Sequence, residues 1–347
     1  MSTPPAPSYR TARDETKEPM LDLAALPLPL PGFPPLPLPR SQYLSVLSWT
    51  TARGQDLEEV CLIAKRYDPD LVVLGELCEE QVEDAARMLG MDAHRSAGTD
   101  VTAHRTVIFV RRDGQLVALH NHQGPNSRDP RIPRVNVEFT LRQGTSGRVP
   151  GSFTVAGLHL SYCSPTERLI AAENVSNLQS RLRLIIGDFN EDPVGEQIDR
   201  SRDADRAHWH DRSHHVHGTG RITATRVDED LTAQGLIDVA RLLNTEEAMR
   251  PTSSTVLRAP GQSPAGRGCR VYADAPFALA AVHLEVLAGY DDVSDHHPIL
   301  TVFHLPALRV AVAAAAADRD ARKQELAADR VEFKTARIGR EIAAGIR

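Results

Sequence analysis

Short apolar runs, each closed by a polar or small residue, recur from about residue 43 to residue 303. Residues 43–49 alternate apolar and small polar positions, the two-residue period of a strand. Residues 71–74 and 184–186 are unbroken apolar runs, as a strand covered on both faces requires. Residues 107–110, 115–119, 135–141, 153–160, 270–272, 282–287 and 299–303 complete the predicted strands, with 111–114 as a hairpin turn. Helical spacing places Leu57, Val60, Cys61 and Ala64 on one face of 56–66. Further helices are predicted at 79–89 and at 165–182, the latter capped by Ser164 with Glu167 three residues on. Residues 235–241 read as the end of a short helix, and 192–230 as polar and irregular.

The two ends of the chain break this rhythm. Residues 1–40 hold close to half of the 24 prolines and read as a disordered, partly polyproline II arm. Residues 307–347 shift to Ala, Arg and Glu without proline and predict one long helix, with Gly339 a weak point. Between them lies a domain at 41–306. The net charge of −6 gives no global basic field, so a nucleic-acid partner would need a local patch. Cys61, Cys78, Cys163 and Cys269 are scattered without metal-type spacing, which fits a reduced, cytoplasmic setting. No apolar run is long enough to span a bilayer, so no membrane partner is expected.

Several predicted strands end in side chains that carry chemistry: Glu76, His159, Asp188 with Asn190, and Asp295 with His296 just before 299–303. In extended backbone Asp188 and Asn190 share a face. Polar groups at the ends of packed strands can converge on one rim, and carboxylates with an amide are hard donors suited to a divalent cation or a phosphate. A histidine among them can exchange a proton with an attacking water or a leaving group, which together describes metal-assisted phosphoryl transfer. Singly, each has a plainer explanation. Asp and Asn are common turn residues, an acid at Glu76 suits a helix start, and His159 in an apolar run suits a core. His208, His210, His214, His215 and His217 cluster without standard ligand spacing and read as a solvated loop. Arg128, Arg131 and Arg134 can meet a substrate phosphate or serve as plain surface charge.

Taken together and in order, the segments 47–49, 69–76, 157–160, 187–190 and 294–298 resemble the endonuclease/exonuclease/phosphatase superfamily of deoxyribonuclease-like, metal-dependent phosphohydrolases. The resemblance covers roughly residues 41–305. It implies an α/β (α+β) fold, a four-layer α/β/β/α sandwich of two packed mixed sheets with the site at one edge and the C-terminal helix as an addition. It implies Mg²⁺ or Mn²⁺ as cofactor, with Glu76 the main ligand and Asp188 and Asp295 beside it. Asp188 and Asn190 would position the nucleophilic water and the scissile phosphate. His159 would stabilise charge on phosphorus or assist the leaving group, and His296 would be the catalytic histidine. Thr50, Asn190 and Arg131 are the expected substrate contacts. Two positions depart from the pattern: Thr50 stands where the family has asparagine, and Cys269 where an aspartate orients the catalytic histidine. The expected function is a divalent-metal-dependent hydrolase of phosphate esters, nuclease-like, with nucleic acid one candidate substrate and the choice among DNA, RNA, lipid and small phosphate esters left open. The alternative is a weakened or inactive member that binds a phosphate ligand or a protein.

Overall fold

Apolar alternation along the strands is resolved into two faces, and each face finds a different layer. The computed structural model describes residues 39–96, 103–122, 134–144, 147–178, 182–198, 206–253 and 266–343. Residues 1–38, which contain most of the predicted proline-rich arm, and the stretch with Arg128 and Arg131 lie outside these. In chain order the first half runs β1 (Tyr43–Thr50), α1 (Leu57–Arg66), β2 (Leu71–Cys78), α2 (Glu79–Leu89), β3 (Met91–Arg95), β4 (His104–Arg111), β5 (Leu116–Asn121), β6 (Arg134–Gln143), β7 (Gly147–Arg148), β8 (Phe153–His159), α3 (Pro165–Glu173) and β9 (Arg183–Asp188). The second half runs α4 (Arg206–Asp211), β10 (Ser213–Val216), β11 (Gly220–Thr223), α5 (Arg226–Ala233), β12 (Leu236–Asp238), α6 (Val239–Leu243), β13 (Cys269–Asp274), α7 (Ala275–Ala278), β14 (Ala281–Val286), β15 (Ile299–His304) and α8 (Leu305–Ala343).

The strands form two mixed sheets, in the orders β14-β15-β1-β2-β4-β3 and β12-β13-β9-β8-β6-β5, with β10 and β11 a separate hairpin. Each sheet has one parallel pair at its centre, β1 with β2 and β8 with β9. Their other neighbours, β15 beside β1 and β13 beside β9, run antiparallel. The sheets share one core in which Leu44, Val46, Leu71 and Val73 meet Val155, Leu184 and Ile186. On the outer face of the second sheet, Ala156, Leu158 and Ile185 pack with Ala171 of α3 and Val227 and Leu231 of α5. Thus β9 gives Leu184 and Ile186 to the inner layer and Ile185 to the outer one, which is why its sequence is apolar without alternation. The four-layer sandwich expected from the resemblance is the fold observed.

Several elements differ from the sequence-based expectation. The third helix ends at Glu173 and passes into a 3₁₀ turn, Asn174–Asn177, instead of running on to 182. Residues 192–230 are not wholly irregular, since α4, the β10–β11 hairpin and most of α5 fall there. Residues 235–241 are not a helix end: Gly235, at φ +83°, turns the chain into β12 and then α6. β3 has no counterpart among the predicted strands, because Met91-Asp92-Ala93-His94-Arg95 carries little apolar signal; it is an edge strand held by pairing with β4. The long helix begins at Leu305, and Leu305, Leu308 and Val312 belong to the main core. From 317 to 331 every residue is exposed.

Gly187 explains how tightly β8 and β9 approach at their ends. Its φ is +151°, and a Cβ there would lie 1.8 Å from the Leu158 carbonyl oxygen. Gly187→Ala is therefore expected to lower stability by about 1–3 kcal/mol, read from denaturant unfolding, because a backbone atom and not a flexible side chain must move. An unchanged midpoint would mean the two strand ends have room to part.

Candidate active site

The topology gathers the polar strand ends on one rim. Thr50, Glu76, His159 and Asp188 lie at or near the carboxyl ends of β1, β2, β8 and β9, the two parallel pairs. Cys269 opens β13, which runs back along β9, and pairs in register with Asp188. His296 lies just before β15, which runs back along β1. His159 and Asp188 are also register partners. Neighbours in register on a sheet project to one face, so these pairings bring the side chains together.

A line of contacts crosses the rim. Glu76 Oε1 lies 3.6 Å from His159 Nε2. Asp188 Oδ2 lies 3.7 Å from His296 Nε2. His296 Nδ1 lies 3.2 Å from Cys269 Sγ, which in turn lies 3.8 Å from Thr50 Oγ1. Cys269 therefore occupies the place from which a group orients the ring. Burial pushes the Asp188 carboxyl up, but His296, His159, Arg212 and the Asn190 amide outweigh it and hold its pKa below the usual value. For His296 burial disfavours the imidazolium, yet Cys269 and Asp188 raise its pKa well above that of a free histidine. Burial raises the Cys269 thiol. The pair is thus a carboxylate facing a charged ring, ready to orient a water and to place positive charge beside an anion.

Backbone strain marks two of the site residues. Glu76 has φ +66° and Asn190 φ +53°, both in the left-handed region that non-glycine residues seldom occupy. Glu76 sits where the β2–β4 register slips between Leu74 and Leu77, and such a bulge re-aims a side chain. Its Oε2 accepts from the Arg53 amide at 3.0 Å. The 3.6 Å between Oε1 and His159 is too long for a hydrogen bond, so that oxygen keeps its lone pairs. Asn190 is buried; its amide nitrogen donates to Leu160 O at 2.9 Å, and its backbone N–H donates to Asp188 Oδ1 at 2.8 Å. One of its two side-chain hydrogens is thereby spent inside the protein.

The expected ligand set is not drawn together as one tight group. Among the described residues, the only group of three or more His, Cys, Asp or Glu donors whose atoms all lie within 4.8 Å of one another is Asp188, Cys269 and His296. Glu76 is one step away, across His159. Asp295 flanks the end of β1, since Ser294 Oγ donates to Thr50 O at 2.7 Å, and Thr50 pairs with Gly75 on the other side. Thr50 is buried and its hydroxyl meets Cys269, so it faces the interior and not the open rim. Arg131 lies outside the described residues. The described histidines of the 208–217 cluster form no such donor group.

Of the residues that hold this rim in place, Trp49 and Ser294 lie in the segments 47–49 and 294–298 that carry the resemblance, whereas Thr252, Arg168 and Arg212 carried no signal of their own in the sequence. Trp49 Nε1 donates to His296 O at 2.7 Å, and Ser294 Oγ accepts from His296 N at 3.2 Å. Thr252 accepts from the Cys269 amide through its hydroxyl at 2.9 Å and from the His297 amide through its carbonyl at 2.8 Å, so one residue pins both sides of the Cys269–His296 contact. Arg168, fully buried, binds Glu191 at 3.2 Å, Ser161 O at 2.8 Å and Asp211 O at 2.7 Å, bracing the segments on either side of Asn190. Arg212 donates to the Asn190 carbonyl.

No family model matches the chain, and no curated protein does. Solved structures do. An endonuclease/exonuclease/phosphatase family protein from Bacteroides thetaiotaomicron aligns with a TM-score of 0.53 at 17% identity, covering 76% of this chain and 96% of its own. A 3′-phosphatase from Neisseria bound to a product DNA hairpin aligns with a TM-score of 0.53 at 19% identity, over 75% and 99%. An AP endonuclease from Archaeoglobus fulgidus gives 0.52 at 14%, over 75% and 99%. The architecture is therefore the sandwich shared by endonuclease/exonuclease/phosphatase proteins. At these identities the likeness speaks for the fold, and the chemistry rests on the side chains.

Proposed function

We propose that this protein is a divalent-metal-dependent hydrolase of phosphate esters and, within that class, a nuclease-like phosphodiesterase. The observation that carries the reading is the buried Asp188 carboxylate set 3.7 Å from His296 on a rim that also presents Glu76 and His159. The named activities of the similarly folded proteins, 3′-phosphatase and AP endonuclease, support the class.

The donor chemistry around Glu76 fits Mg²⁺ or Mn²⁺. Mg²⁺ keeps several waters and needs only one or two carboxylates plus substrate phosphate. Glu76 has a free oxygen, and Asp295 flanks the end of the neighbouring strand β1. Glu76 and Asp295 would hold the ion, which neutralises phosphate charge and activates water. Asp188 then orients the attacking water by accepting its hydrogen, with the pKa lowered so that the carboxylate stays charged. Asn190 offers its remaining amide hydrogen to a phosphate oxygen. His296 places its positive charge against the phosphoryl group, and His159, between Glu76 and Asp188, supports the leaving group.

The test is hydrolysis of bis(p-nitrophenyl) phosphate, p-nitrophenyl phosphate, supercoiled plasmid and single-stranded RNA, each with Mg²⁺, Mn²⁺ or EDTA. Glu76→Gln is expected to reduce metal-dependent turnover and metal affinity together. Equal values in mutant and parent would remove Glu76 from the metal site. One observation favours a second reading, phosphate binding without turnover: Thr50 Oγ1 is turned to Cys269 and not to the rim. Folded protein that binds phosphate esters yet hydrolyses none of the panel would select it.

A further inference from the structure

The Asp188, Cys269 and His296 group has a donor set of one sulfur, one nitrogen and one oxygen, which is the wrong chemistry for Mg²⁺ and the right chemistry for a softer ion. We propose that these three residues form a thiolate-containing site for a borderline divalent cation of the Zn²⁺ type, distinct from the hard-oxygen position at Glu76.

The geometry is close to what such an ion needs. Zn²⁺ bonds of about 2.3 Å to sulfur and about 2.0–2.2 Å to nitrogen or oxygen place tetrahedral donors about 3.4–3.6 Å apart. Cys269 Sγ and His296 Nδ1 stand 3.2 Å apart, and all three donor atoms lie within 4.8 Å of one another. The donors sit on three braced elements. Cys269 and Asp188 face each other in register across β13 and β9, and His296 is fixed through its carbonyl by Trp49 and through its amide by Ser294. A fourth position is open to water or to Thr50 Oγ1, 3.8 Å from the sulfur. A small pocket lined by Trp49, Thr50, Gly75, Gly187 and Cys269 adjoins the thiol.

Binding would convert the Cys269 thiol to thiolate and release its proton to solvent. A proton on Nδ1 of His296 would be released in the same way, so affinity rises with pH. The proposal rests on donor geometry; because Asp188 and His296 also serve the hydrolysis proposed above, an ion held here would compete with that reaction, and the metal titration is read without any phosphate ester.

Co²⁺, which reports its ligands by colour, is the probe. Titration of the reduced full-length chain is expected to give a thiolate-to-metal charge-transfer absorption in the near ultraviolet together with visible bands of a tetrahedral ion. Stoichiometric Zn²⁺ should bleach both, and a large excess of Mg²⁺ should leave them. Cys269→Ser should abolish the charge-transfer absorption, while Cys163→Ser, at an exposed thiol outside this donor group, should keep it. His296→Gln, folded as judged by circular dichroism, should lose the tetrahedral visible bands. A parent chain without the charge-transfer absorption would overturn the proposal. So would an absorption that survives Cys269→Ser, or one that Mg²⁺ displaces as readily as Zn²⁺.

Discussion

Arg168→Ala is expected to lower the unfolding free energy by about 3–5 kcal/mol, among the largest effects of any single change in this chain. The side chain is fully buried, and its partner Glu191 is nearly so. Removing the guanidinium leaves the Glu191 carboxylate in the interior with the Val227 amide, at 2.7 Å, and the charge of nearby Arg270 to answer it. It also frees two carbonyls, Ser161 and Asp211, from their donors. Those carbonyls belong to segments that flank the Asn190 turn, so the loss reaches the site. Urea unfolding measures it; a fall under about 1 kcal/mol would mean that other contacts hold these segments. If the alanine variant does not fold, Arg168→Met combined with Glu191→Leu separates charge from packing. Replacing both partners with apolar groups of similar size removes the stranded charge, so most of the stability should return. The double variant should then be stable but slower in turnover, because nothing ties Ser161 to the chain beyond Asn190.

This network shows where sequence reading stops. The strand ends were legible because a polar residue closing an apolar run stands out locally, as with Gly187-Asp188 and Gly75-Glu76. The convergence of those ends follows from two parallel pairs with antiparallel neighbours, and only the resemblance to a known family implied it. Cys269 was legible as a departure from a pattern, but its contact with His296 Nδ1 depends on register between β13 and β9. Thr252 and Arg168 were illegible for a different reason. Thr252 acts through its hydroxyl and carbonyl on residues far along the chain, and a lone threonine in a polar stretch announces nothing. Arg168 lies on a helix where an arginine usually faces solvent, and only tertiary packing makes it a core residue. β3 escaped because its place at a sheet edge is set by β4 and not by its own side chains.

His296→Ala is expected to lower turnover of the preferred phosphate ester by about 10²–10⁴-fold, the usual contribution of a positioned proton-transfer group. Cys269→Ala should cost less, about 10–100-fold, because its sulfur touches the ring at Nδ1 and acts on substrate only through the orientation of that ring. The two losses should not add. Once His296 is gone, removing Cys269 has nothing left to misplace, so the double variant should match His296→Ala within a factor of a few. A double variant slower by a further tenfold or more would show that Cys269 acts directly. Cys269→Asp supplies the complementary test. A carboxylate accepts a charge-assisted hydrogen bond from Nδ1–H more strongly than a thiol does, so the ring should be held better and turnover should rise. The new carboxylate would stand in register with Asp188, and like charges across a strand pair repel. The imidazolium between them offsets that repulsion, so the gain should require His296: Cys269→Asp made in the His296→Ala background should destabilise the protein and restore no activity.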